Sequence, residues 1–185
     1  MLTAASATRP PPPASTRPST ADSRPGPAPS GPTPTVPVVA AAPVRIDVAA
    51  VGLSSSVVPV GQTSDGSITV PPPTVAGWYH FGPAPGALGP AVLVGHVDSH
   101  SRTAVFYGLA RVRPGDTVRI VRADNSAVEF RVNAVTVVNK AAFPTAAVFA
   151  PTDDAELRLV TCTGAFDTTT HHYVDSLIVW ATMTA

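Results

Sequence analysis

From Val44 onward the chain alternates between apolar and polar positions. Val44-Arg-Ile-Asp-Val-Ala-Ala-Val51 sets an apolar side chain at nearly every second residue, and Ser56–Val60 and Ser67–Val70 are short β-branched runs bounded by Gly and Pro. Strands are also predicted at Ala91–Val97, Thr117–Arg122, Ala127–Val138, Leu157–Cys162 and Ser176–Ala181, with Asp124-Asn125 as a hairpin turn. Pro71-Pro-Pro73 breaks the chain, and Gly77–Pro90 reads as a long loop carrying Trp78 and Tyr79. Only Thr103–Leu109 and Pro144–Phe149 look like short helical turns. Eight short strands with no amphipathic helix longer than two turns predict an all-β domain, a closed or nearly closed eight-stranded β-barrel.

The chain before Val44 has another character. Residues 1–43 hold 12 of the 22 prolines, mixed with Ala, Ser and Thr, and include one acidic residue and no aromatic. Such a segment cannot bury enough apolar surface to offset its conformational entropy, so it is expected to be a disordered, partly polyproline II-like linker. Residues 44–185 then suit one compact domain with a single core.

Twelve basic residues balance twelve acidic ones, and no basic run is present. A nucleic-acid or anionic-membrane surface is therefore not indicated. No apolar stretch approaches the ~18 residues of a membrane span, and Val36–Val44 is broken by Pro37 and Pro43. Met1-Leu-Thr-Ala-Ala5 has neither the charged nor the apolar region of a signal peptide.

Two residues carry candidate chemistry. Cys162, the single cysteine, ends the strand Leu157–Cys162, and His96 stands near the end of Ala91–Val97. One cysteine makes no intramolecular disulfide, and a lone strand-end thiol is ordinarily a small buried hydrophobe. A histidine delivered by another strand end changes that reading. The thiolate is the attacking species, and a neighbouring imidazolium lowers a thiol pKa from its free value of about 8.5. His96 and His100 have the i, i+4 spacing of a helical metal site, but they follow a strand, so no metal is implied. Asp98 either orients His96 or caps the turn. Arg158 shares the face of Cys162 by alternation but stands about 13 Å up the strand, too far to serve the same carbonyl.

The runs Gly95-His96-Val97-Asp98-Ser99, Leu157-Arg-Leu-Val-Thr161-Cys162 and Gly164-Ala-Phe166-Asp167…His172-Tyr173-Val-Asp175 together resemble a sortase, most closely the class F branch. Gly77-Trp78-Tyr79, Arg113-Pro-Gly-Asp116 and Phe143-Pro-Thr145 are similar to the family as well, and the resemblance runs from about Val44 to the C-terminus. It implies a cysteine transpeptidase on a sortase-like barrel, needing no cofactor or metal. Cys162 would cleave a Leu-Pro-x-Thr-Gly-like sorting signal after Thr through an acyl-thioester. The acyl group would pass to an amine acceptor, with His96 as general acid and then general base. Thr161 resembles the family threonine that lines the substrate channel. The implied setting is the outer face of a bacterial membrane or the cell wall. Sortases of this kind carry an N-terminal membrane anchor before a proline-rich stalk, and this sequence shows the stalk without the anchor.

One departure stands out. The family stabilises the oxyanion with an arginine on or just before the strand after the cysteine, and this chain has no arginine after Arg158. His171, His172 and Arg102 are the candidate replacements, with backbone N–H groups as a further source. An L,D-transpeptidase is excluded, because its histidine and cysteine lie close together in a Ser-His-Gly-Cys run. The remaining alternative is a sortase-fold binding module with weak or no turnover, motivated by the missing arginine.

Overall fold

The computed structural model describes residues 40–99 and 102–184. The proline-rich segment up to residue 39, and with it most of the expected linker, lies outside the described residues, as does His100. Eight strands close into one barrel: β1 (Pro43–Val48), β2 (Leu53–Val60), β3 (Ala76–Tyr79), β4 (Gly89–Val94), β7 (Thr117–Arg122), β8 (Ala127–Asn139), β9 (Ala155–Asp167) and β10 (His172–Met183). They neighbour one another in the order β1-β2-β3-β4-β9-β10-β8-β7, and β7 pairs back onto β1. A two-stranded ribbon, β5 (Asp98–Ser99) with β6 (Arg102–Thr103), follows β4. Helical structure is confined to α1 (Thr145–Phe149) and 3-10 turns at Ala49–Val51, Tyr107–Arg111 and Lys140–Ala142 among the described residues.

The barrel meets the sequence expectation, with one exchange of membership. Ser67–Val70 is not a barrel strand and makes a single bridge, Gln62 with Ile68. The backbone there is committed to a turn around Asp65, whose carboxylate accepts from Ser67 N at 3.1 Å and Ser67 Oγ at 3.2 Å. The missing strand is β3, inside the stretch read as a loop. Gly77 opens the expected loop, yet it lies inside β3, and β2 packs so closely on it that a Cβ would lie 2.7 Å from Val60 Cγ1. The first strand stops at Val48 because the next residues form a 3-10 turn closed by Gly52 at φ 67°. The helical turn expected at Thr103–Leu109 is divided between β6 and the Tyr107–Arg111 turn, whereas that at Pro144–Phe149 becomes α1.

Period-two alternation fills the interior. Ile46 and Val48, Val118 and Ile120, Phe130 and Val132, Leu157 and Leu159, and Leu177 and Val179 point inward from five strands and belong to one buried cluster. Each such side chain contributes roughly 1.5–3 kcal/mol relative to exposure. A second cluster lies on the outer face of β4, β9 and β10, where Val92 and Ile178 pack under Val148 of α1, with Val160, Trp180, Phe143 and Phe149 at its edge. The barrel wall is therefore apolar on both sides along these strands, which gives β9 an outer face that is walled rather than open to water.

Candidate active site

β4 and β9 run parallel at a constant offset of 66 residues, from Gly89 with Ala155 to Val94 with Val160. His96 and Cys162 stand at that same offset, two residues past the last formal pair. Partners in register share a face of the sheet, and neighbouring strands lie about 4.8 Å apart. Both side chains line a cavity of about 470 Å³ on the outer face of the barrel, together with Asp98, Lys140, His171 and Tyr173.

The end of β4 is fastened at each residue. Gly95 N donates to Val160 O at 3.2 Å, Phe106 N to His96 O at 2.9 Å, and Ala104 N to Val97 O at 3.1 Å. Thr161 Oγ1, itself buried, donates to Gly95 O at 2.8 Å. Phe106 lies so close that a Cβ on Gly95 would stand 2.7 Å from its ring. Only glycine lets the chain pass there, and it delivers His96 at a fixed point.

Cys162 is half-buried, pairs with Ser176 on β10, and Ser176 in turn pairs with Val138 on β8. Just beyond the thiol the β9/β10 register shifts between Tyr173 and Asp175. Gly164 takes φ 84°, and a Cβ there would fall 2.3 Å from Asp175 Oδ2. This bulge leaves Val174 outside the ladder. The hairpin beyond it is held by aromatic contacts: Phe166 meets the Tyr173 ring at 5.3 Å and the His171 ring at 6.4 Å.

The other residues singled out in the sequence are distributed as follows. Thr161 borders the Cys162 cavity and spends its hydroxyl on Gly95. His171, at φ 57° in the hairpin turn, and His172 line the cavity too. Arg102 does not: it is exposed on β6 and lines a separate cavity with Thr74 and Val105. Arg158 is buried, ion-paired with Glu156 at 2.5 Å and stacked on Trp180 at 4.6 Å, so its charge is engaged away from the thiol.

Two features escaped the sequence reading. The Tyr173 hydroxyl donates to the Asp98 carboxylate, tying β10 to the segment that follows His96. That bond raises the Tyr173 phenol pKa above its ordinary value, reinforced by burial and by the negative charges of Asp98 and Cys162. Lys140, the single lysine, lines the same cavity from the far side of β10. Tyr173 was hidden because its partner lies 75 residues away in sequence. A lone lysine directly after a long strand was the one visible hint of the second.

An apolar groove of about 840 Å³, lined by Tyr79, Phe81, Pro90, Phe143 and Phe149, shares Val94 and Val160 with the Cys162 cavity. The two therefore adjoin at Val94 and Val160, on the neighbouring strands β4 and β9. Among the described residues no group of three or more His, Cys, Asp or Glu side chains could hold a metal ion. No described helix is long and apolar enough to cross a membrane.

Comparison with known proteins agrees with this geometry. The chain matches the sortase domain over residues 46–184, while no curated protein matches it. Its fold is similar to that of a lid mutant of sortase A from Corynebacterium diphtheriae, with a TM-score of 0.61 at 20% identity over 80% of this chain and 70% of that one. It is similar also to sortase C2 of Group B Streptococcus pilus island 1, with a TM-score of 0.59 at 17% identity over 76% and 73%. A Clostridium perfringens sortase D5 transpeptidase gives a TM-score of 0.57 at 19% identity over 78% and 79%. Since the domain match reaches from the first barrel strand to just past the last, the chain belongs to the sortase family and is a sortase-type enzyme.

Proposed function

We propose that this chain is a class F-like transpeptidase that cuts a Leu-Pro-x-Thr-Gly-like signal after Thr and transfers the acyl group to an amine, anchoring surface proteins outside the bacterial membrane. The observation that carries this is the parallel register of β4 and β9, whose offset equals the separation of His96 and Cys162. The apolar groove adjoining the Cys162 cavity suits an extended peptide with apolar side chains ahead of the scissile bond.

In the reaction the Cys162 thiolate attacks the threonine carbonyl carbon. A C–S bond forms and the carbonyl π pair moves to oxygen. Collapse breaks the C–N bond, and the glycine amine leaves with a proton from His96. The incoming amine attacks the thioester, gives its proton to His96, and the thiolate departs. Thr161 holds the His96 strand end through Gly95 and borders the bound substrate. Of the candidate charge donors, His171 lines this cavity and Arg102 a separate one, which supports His171 over Arg102.

Mass spectrometry of the protein incubated with a Leu-Pro-x-Thr-Gly peptide, with hydroxylamine in parallel, tests the proposal. An adduct on Cys162, or a hydroxamate product ending in Thr, is the expected result. The second reading, a non-catalytic binding module, is favoured by the absence of any arginine after Arg158. Unmodified thiol and intact peptide, with the peptide still bound, would establish it instead.

A further inference from the structure

Attack on the carbonyl leaves a negative oxygen, and a preorganised donor there is worth about 100-fold or more in rate. We infer that Lys140 supplies that charge. This inference rests on the transpeptidase reading above.

Four strands meet at the cavity in one rung: Val138 of β8 pairs with Ser176 of β10, Ser176 pairs with Cys162 of β9, and His96 follows in the β4 register. Lys140 opens the 3-10 turn directly after β8, two residues past Val138, and its side chain lines the cavity that holds Cys162 and His96. Asn139 is the last β8 residue in the ladder and pairs with Asp175. Lys140 follows directly on that last pair, and Val174, the residue the bulge releases from the β9 ladder, lies next to Asp175 in sequence. The cation of the turn after β8 thus borders the end of β10 where the bulge holds only an aliphatic side chain. β10 lies between the strand before Lys140 and the thiol's strand, so these are about 9.6 Å apart, and the lysine's long flexible stem covers much of that span toward the cavity both residues line.

Lys140 is also uncommitted. Among the described residues it takes part in no ion pair, and the adjacent carboxylate, Asp175, accepts instead from Asn139 Nδ2 at 3.2 Å. Arg158, by contrast, is neutralised by Glu156. The other potentially cationic side chains lining the cavity besides His96 are His171 and His172, both from the hairpin beyond the bulge. The ammonium donates a hydrogen bond to the oxyanion without giving up its proton. When the tetrahedral intermediate collapses, the electron pair returns to re-form the carbonyl and the leaving amine takes its proton from His96.

Steady-state hydroxylaminolysis of the sorting peptide by the whole protein decides the matter, using Lys140→Gln, Lys140→Arg, Lys140→Gln with Val174→Arg, and His171→Gln. Thermal melting and iodoacetamide labelling of Cys162 serve as controls for folding and thiol access. Lys140→Gln should lower kcat about 100-fold with KM nearly unchanged. Lys140→Arg should keep most of the rate, and Val174→Arg should restore at least about tenfold to the glutamine variant, because it returns a cation next to the Asn139–Asp175 pair. The inference is overturned if Lys140→Gln matches wild type, or if neither arginine variant recovers the rate. A loss confined to His171→Gln would overturn it as well, by moving the charge to the hairpin turn. Wild type that binds the peptide without cutting any would remove the transpeptidase reading, and this inference with it.

Discussion

The two faces of β9 do different work. Inward, Leu157, Leu159 and Thr161 are buried in the barrel. Outward, Arg158, Val160 and Cys162 run from a neutralised cation, through the wall of an apolar groove, to the thiol. Alternation with period two is all that separates these faces, so a single strand carries core residues and the proposed nucleophile within six consecutive positions. The division has one exception. Thr161 belongs to the inner face, yet its hydroxyl holds the carbonyl of the residue before His96.

The largest effect should come from the outer face. Cys162→Ala is expected to abolish both the peptide adduct and the hydroxamate product while leaving the melting temperature within a degree or so, since the side chain is only half-buried. If transfer survived in that variant, the assignment of chemistry to this face would be broken. Leu159→Ala should do the opposite. It removes a fully buried side chain and should cost about 2–5 kcal/mol in urea unfolding, with kcat per folded molecule unchanged.

Thr161→Val sharpens the comparison because it should cross the division. The Gly95 carbonyl loses its donor, which should cost about 1–3 kcal/mol in stability. A loss of kcat is expected alongside it, and Thr161→Ser should restore both. A stability loss with kcat intact would place Thr161 among the purely structural residues.

The smallest effect concerns the Tyr173–Asp98 link. Tyr173→Phe should cost about 1 kcal/mol in urea unfolding. Its signature is spectroscopic: the folded state favours the neutral phenol, so the link contributes fully below the ordinary tyrosine pKa near 10 and fades as pH climbs through the raised value. Absorbance at 295 nm should show one tyrosine ionising later than the others, and the Phe variant should lose that late step.

Local pattern made much of this visible. Strands β7 and β8 alternate cleanly around Asp124-Asn125, and their register follows from the turn. β3 was hidden because Ala76-Gly-Trp-Tyr79 does not alternate, and its glycine answers to the nearness of Val60, which no local pattern records. The length of β9 was hidden for the same kind of reason: Gly164 reads as a stop, and the strand passes through it as a bulge to Asp167. At the site, Cys162 and His96 announced themselves by residue type at strand ends. Arg102 followed His96 closely in sequence, but the β5/β6 ribbon turns it to another cavity. Lys140 and Tyr173 reach the cavity only through pairings between distant strands.

The parallel pairing of β4 with β9 also bears on how the enzyme comes into being. Parallel neighbours need a crossover, and here it contains β5 to β8 and α1 before the chain returns to β4. Closing so large a loop costs entropy before any ladder bond is regained, so contacts of this separation form late in folding. A nascent chain therefore carries the imidazole of His96 well before the thiol of Cys162 is made, and the two meet only when β9 docks beside β4. On the proposed assignment of Cys162 and His96, the pair is complete only once β9 has docked, so a half-made barrel would lack it.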